Sequence, residues 1–131
     1  MNSERILFVE DDLVFSGIIG RHLRARRHDV RVAGTVAEAL VILNSGFRPT
    51  IVLLDINLPD ASGWDLLRSQ RLRDAGSPLV YIVSATSVAP GRLREFGVAG
   101  ILPKPFAIST LVEIVERRGE GNNDEASTLQ E

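Results

Sequence analysis

The sequence predicts a single α/β domain, a (βα)5 doubly wound fold whose five parallel strands lie in the order 2-1-3-4-5 with helices on both faces. Three observations carry this expectation. Short apolar runs alternate five times with amphipathic stretches, the pattern of βα units that build a parallel sheet. The runs at 6–9, 51–54 and 79–83 are unbroken and rich in β-branched residues, as strands covered on both faces must be. The run at 30–33, Val-Arg-Val-Ala, alternates instead, which suits an edge strand with one wet face. Right-handed crossovers, an edge second strand and a buried first strand then select the order.

The elements follow in turn. Strand 6–9 leads into a helix over 13–26 with Val14, Ile18, Ile19 and Leu23 on one stripe. After the edge strand, Thr35 caps a helix over 35–44, with Glu38 three residues on completing a capping box. Ala39, Leu40 and Leu43 form its apolar face, and Gly46 ends it. Strand 51–54 precedes a helix over 63–74 that carries Leu66, Leu67 and Leu72, with Gly76 just beyond. Strand 79–83 precedes a shorter helix, Pro90–Phe96. A weak strand at 101–102 leads to the last helix, 108–118, whose inner face is Ile108, Leu111, Val112 and Val115. The domain is expected to span 1–118. Residues 119–131 are polar and aperiodic, and read as a tail or the start of a linker.

Composition bounds the function. A chain of 131 residues holds one domain with a real core. With no cysteine there is no disulfide, thiolate metal site or thiol nucleophile. The N-terminus lacks the form of a signal peptide, and no apolar run approaches the roughly 20 residues of a membrane span; the expected location is the cytoplasm, with no membrane partner. Four acids and no base lie in 119–131, which leaves 13 of the 17 acids against all 15 bases in 1–118. That small basic excess gives no reason to expect direct nucleic-acid binding. Of the 15 bases, only Lys104 is a lysine.

In open parallel sheets ligands bind beyond the carboxyl ends of the strands, where the strand order reverses. Here that point lies between the first and third strands. The first runs into Glu10-Asp11-Asp12 and the third into Asp55. Each piece alone is ordinary, since acids after a strand commonly cap the next helix. Together they repel one another unless a cation joins them, and an all-oxygen donor set suits Mg²⁺. The fourth strand ends in Ser84, a hydroxyl able to donate to an oxyanion. Lys104 stands between Pro103 and Pro105 after the fifth, and a lone lysine in an arginine-rich chain points to a site that needs a compact ammonium. A carboxylate nucleophile, acids for a metal, a hydroxyl and an ammonium form a set that phosphoryl transfer uses.

At these residues the sequence resembles the receiver domains of bacterial two-component response regulators, over roughly 4–118. The likeness rests on Ile6-Leu-Phe-Val-Glu10-Asp-Asp12, Leu54-Asp-Ile-Asn-Leu-Pro-Asp-Ala-Ser-Gly63, Val83-Ser-Ala85 and Lys104-Pro-Phe106. It implies a flavodoxin-like fold and a signalling switch rather than an enzyme, with self-catalysed aspartyl phosphorylation and dephosphorylation only. By the same resemblance Asp55 is the phosphoacceptor. Asp11 binds Mg²⁺ directly, Glu10 acts through a bound water, and Asn57 offers its backbone carbonyl. Ser84 and Lys104 contact the phosphoryl group, and the Lys104–Pro105 bond is cis. The implied partners are a histidine kinase or histidine phosphotransfer protein, and a downstream protein on the face of the Pro90–Phe96 helix, the last strand and the last helix.

Two features depart from the family pattern. Ile101 stands where many members carry a switching Tyr or Phe, and the 20 residues from Ser84 to Lys104 are fewer than the resemblance leads one to expect. Asp12 is read as a helix cap, Trp64 as packing at its helix start, and the basic stretch with His22, Arg24, Arg26, Arg27 and His28 as a solvated face. Three competing readings remain. A degenerate receiver would bind proteins without phosphorylation. An aspartate-nucleophile phosphohydrolase would want a second Asp at the position of Asn57. A nucleotide-binding module would want a Gly-rich phosphate loop, which the sequence lacks.

Overall fold

Five parallel strands, β1 (Arg5–Val9), β2 (Asp29–Ala33), β3 (Ile51–Asp55), β4 (Leu79–Ser84) and β5 (Gly100–Pro103), form one sheet in the order β2-β1-β3-β4-β5. The computed structural model describes residues 3–117, so the tail expected over 119–131 lies outside the described residues. Six helices connect and cover the strands: α1 (Leu13–Ala25), α2 (Val36–Asn44), α3 (Gly63–Arg68), α4 (Gln70–Asp74), α5 (Pro90–Phe96) and α6 (Ile108–Arg117). Successive strand residues point into two different cores, which is why the inner strands are apolar throughout. Leu7, Val9, Val52, Leu54, Val80 and Ile82 pack with residues of α2, α3 and α4. Ile6, Phe8, Ile51, Leu53, Tyr81 and Val83 pack with Ile19 and Leu23 of α1 and Leu111, Ile114 and Val115 of α6. Val9 lies opposite Leu54 in the register, so Glu10 and Asp55 leave the sheet at the same level.

Four expectations are corrected. In α1 the buried face is Ser16, Ile19, Gly20 and Leu23, whereas Val14 and Ile18 are 76% and 39% exposed. At about 100° per residue Val14 lies about 140° round the helix from Ile19; the small residues Ser16 and Gly20, which a hydropathy reading passes over, complete the stripe. In α2, Thr35 Oγ1 accepts from Glu38 N at 3.0 Å, but the Glu38 carboxylate reaches one residue further back, to Gly34 N at 2.7 Å, so the box is not reciprocal.

The helix expected over 63–74 is two helices. Ser69 stands between α3 and α4 in extended conformation (φ −70°, ψ 133°), and its hydroxyl caps α4 by accepting from Arg71 N. A serine able to offer the backbone such a bond competes with helix continuation. His28 is buried rather than solvated. Its Nδ1 accepts from Glu4 N at 3.0 Å, and its Nε2 lies 3.2 Å from Glu116 Oε2. The basic stretch is therefore partly a clip: Arg26 donates through Nε and Nη2 to Glu116 at 2.6 and 2.8 Å, tying the end of α1 to the end of α6.

The Arg26 hydrogen bond, helped by His28, holds the Glu116 carboxyl well below the usual carboxylate range, at about 2. A depressed folded-state pKa stabilises the fold above the unfolded value and is lost as pH falls through the folded one. Glu116→Gln is therefore expected to cost about 0.5–1 kcal/mol at pH 7, the range of a partly exposed pair. The difference from the parent chain, measured by urea unfolding, should close as pH falls from about 4.5 towards about 2.

Candidate functional site

The reversal of strand order between the parallel neighbours β1 and β3 does the assembling. Glu10 and Asp11 follow the end of β1, Asp55 ends β3, and one carboxylate oxygen from each lies within 4.8 Å of the others. Glu10 and Asp55 are buried and Asp11 is exposed. The next acid, Asp12, is the α1 cap that the sequence suggests: its Oδ1 accepts from Phe15 N at 3.0 Å. Its own N–H donates to Glu10 Oε2 at 3.2 Å, which aims that side chain.

Lys104 supplies the facing cation. Its Nζ lies 2.6 Å from Glu10 Oε1 and 3.3 Å from Asp55 Oδ2. The backbone places it, because Lys104 N donates to Ser84 O at 2.8 Å where β4 and β5 end. The Lys104–Pro105 peptide is cis, as the resemblance implies. The ammonium also sits 5.4 Å from the centre of the Phe15 ring, which packs edge-on against Phe8 and Phe106. Burial pulls the lysine pKa down, but the close ion pair with Glu10 and the charge of Asp55 more than offset this, so it stands above the ordinary value. Burial pushes Glu10 up, with Lys104 opposing.

The structure thus brings Glu10, Asp11, Asp55 and Lys104 together. It treats Ser84 and Asn57 differently. Ser84 is buried at the end of β4, but its Oγ accepts from Thr86 N and lies 3.1 Å from Thr86 O and Oγ1, so the hydroxyl is engaged within its own loop. Asn57 N donates to Asp55 Oδ1 at 2.9 Å, and Asn57 bridges Ser62 across the loop.

Two residues here were not singled out from sequence. Gly63 opens a helix and ends the motif after Asp55 in the sequence, with no role assigned there, yet a Cβ at this position would stand 2.7 Å from Asp55 O and 3.0 Å from Ile56 Cα, both backbone. Asp60 in the same loop accepts from Val36 N and Ala37 N at 3.0 Å each, and these bonds hold its carboxyl below the usual range. The available signal was the unpaired N–H groups that open any helix, here α2. Trp64 packs at the start of α3 as expected and stacks on Phe96 of α5, ring centres 5.0 Å apart.

The donor set fits a hard divalent cation. Three carboxylates face one ammonium, and hard oxygen ligands with an open, partly exposed side suit Mg²⁺. Glu10 Oε1 is buried and, among the described residues, accepts no well-angled hydrogen bond; its partner is the Lys104 ion pair.

The sequence profile of the response regulator receiver domain matches residues 6–116. This chain belongs to the response regulator receiver domain family. It is 34% identical over 127 residues to the DNA-binding response regulator MtrA of Mycobacterium tuberculosis, across 96% of this chain and 55% of that protein. It is 32% identical over 135 residues to the transcriptional regulatory protein PrrA of Mycobacterium bovis, across 98% of this chain and 57% of that one. The chain therefore spans a little over half the length of these relatives. The non-phosphorylated receiver domain of HemR from Leptospira biflexa is 32% identical with a TM-score of 0.73, over 88% of this receiver chain and 93% of that one. A CheY-like receiver domain from Methanospirillum hungatei has the same fold, with a TM-score of 0.79 at 23% identity over 97% and 98% of the two chains. Receiver domains are signalling switches of two-component systems. Among the described residues no helix is long and apolar enough to cross a membrane.

Gly63→Ala tests the close approach behind Asp55. Because the obstructing atoms are backbone, the substitution should lower stability by about 1–3 kcal/mol. It should also shift the Asp55 and Ile56 amide resonances more than those of β2, read in one ¹⁵N–¹H spectrum.

Proposed function

We propose that this chain is a phosphoacceptor switch that takes a phosphoryl group onto Asp55 from the phosphohistidine of a histidine kinase or histidine phosphotransfer protein. The observation that carries the reading is the meeting of Glu10, Asp11 and Asp55 with Lys104 at three strand ends, in a chain of this family. An Asp55 carboxylate oxygen attacks phosphorus, the new O–P bond forms as the P–N bond to the donor imidazole breaks, and the electron pair leaves on that nitrogen. Asp11 and Asp55, with Glu10 and the Asn57 carbonyl, would hold Mg²⁺, which when bound supplies charge neutralisation for the acceptor and the transferred oxygens. Lys104 then trades its contact with Glu10 for a phosphoryl oxygen. The Ser84 hydroxyl gives up Thr86 to donate to another. These exchanges favour a second arrangement of the loops after β3 and β4, a population shift that alters the face of α5, β5 and α6 where a downstream protein docks.

We take 1–118 as the switching unit in the cytoplasm, with 119–131 as a tail or linker. It would contact proteins rather than nucleic acid; the DNA binding in the name of MtrA belongs to that protein. With Ile101 half-buried in place of an aromatic ring, output does not run through ring rotation at that position. Asn57 cannot transfer a proton, which disfavours a phosphohydrolase.

Intact mass after incubation with acetyl phosphate tests the chemistry. One added phosphoryl group is expected with Mg²⁺, none with chelator and none in Asp55→Asn. No adduct, with Mg²⁺ binding established and phosphate release absent, would instead mark a degenerate receiver that binds partners without phosphorylation.

A further inference from the structure

The opposite end of the sheet carries a second concentration of charge that the phosphoryl-transfer reading does not use. Arg5 opens β1, Arg31 lies in the edge strand β2, and Arg48 lies in the turn between α2 and β3. With Ser45, Gly46 and Phe47 they line a depression of about 410 Å³, a size in the range of small-molecule sites. Phe47 is a buried floor with the Arg31 guanidinium 4.5 Å above its ring centre. Arg5 Nε donates to the Arg48 backbone carbonyl at 2.6 Å, which anchors the Arg5 guanidinium to the turn that carries Arg48.

Counter-charge is scarce there. Asp29 pairs with Arg31, whereas Arg5 and Arg48 have no carboxylate within ion-pairing distance among the described residues. Glu4, next to Arg5, is buried and bonds Thr50. Asp74, which borders a smaller neighbouring depression with Arg48 and Arg71, accepts from Gln70. Three arginines thus line the depression with one carboxylate beside them, Arg48 standing at its border with Nη2 reaching towards Gly76. Like charges held together without counter-ions repel, and guanidinium forks match the paired oxygens of phosphate and carboxylate groups.

We propose that Arg5, Arg31 and Arg48 form an oxyanion site, distinct from the Asp55 cluster and at the other end of the strands, for a group that carries more than one negative charge. Two sources supply that chemistry: a free phosphate compound, or the carboxylates of residues 119–131, a segment with four acids and no base.

The test titrates the full chain with sodium pyrophosphate at low ionic strength without Mg²⁺, following backbone amides and arginine Nε–Hε resonances. Saturable shifts are expected at residues 45–48 and at Arg5 and Arg31. Arg48→Ser should weaken binding by about tenfold. Arg94→Ser, which removes an equal charge from the exposed face of α5, should change it by less than about twofold. Folding of both variants is checked in the same spectra. A chain ending at residue 118 distinguishes the sources. Tighter pyrophosphate binding there assigns the site to the chain's own carboxylates, and unchanged binding assigns it to a free phosphate compound. Shifts that do not saturate, or equal losses in Arg48→Ser and Arg94→Ser, overturn the proposal.

Discussion

Two buried carboxylates and a third beside them face a single ammonium, and the rest of the molecule is arranged around that imbalance. Glu10 and Asp55 are almost without solvent, so each needs a fixed partner. The sheet order provides it. Only because β1 and β3 are neighbours do acids 44 residues apart in sequence share a site. Only because β4 and β5 end beside them does Lys104 arrive, its backbone held by Ser84 O. A lysine serves better than an arginine here. Its compact charge sits between two carboxylates and can move to a third oxygen, whereas a planar fork favours one bidentate partner.

The loop after Asp55 is tied at three points: Asn57 N to Asp55 itself, Gly63 N to Ile56 O, and the Asp60 carboxylate to the opening N–H groups of α2. A displacement at Asp55 therefore strains the start of α2 as well as the loop. On the far side, α5 buries none of its residues fully. It is held to α3 through the stacked Trp64 and Phe96, with Arg92 over the Trp64 ring at 5.3 Å.

Most of the fold was legible because a parallel sheet writes itself plainly: its inner strands must be apolar on both faces, and its edge strand must alternate. What escaped was information that apolar pattern does not carry. Ser16 and Gly20 are buried because they are small, and Ser69 breaks a helix through a local hydrogen bond that competes only weakly on average. His28 lies among arginines in sequence, yet its position is set by Glu4 and Glu116, 24 and 88 residues away. At the site, the acids and the lysine were readable from their places at strand ends. The rotation of the Ser84 hydroxyl toward Thr86, the steric role of Gly63 and the reach of Asp60 depend on distances that no spacing encodes.

Lys104 is the one side-chain amine in 131 residues. Reagents that seek primary amines, such as succinimidyl esters, isothiocyanates and anhydrides, thus find one side-chain target, and it is the cation lodged between Glu10 and Asp55. In a lysine-rich protein such labelling scatters over the surface and leaves the centre alone. Acylation of Lys104 would erase the positive charge on which two buried acids rely, and the same ion pairs, by holding the proton on the amine, keep it slow to react.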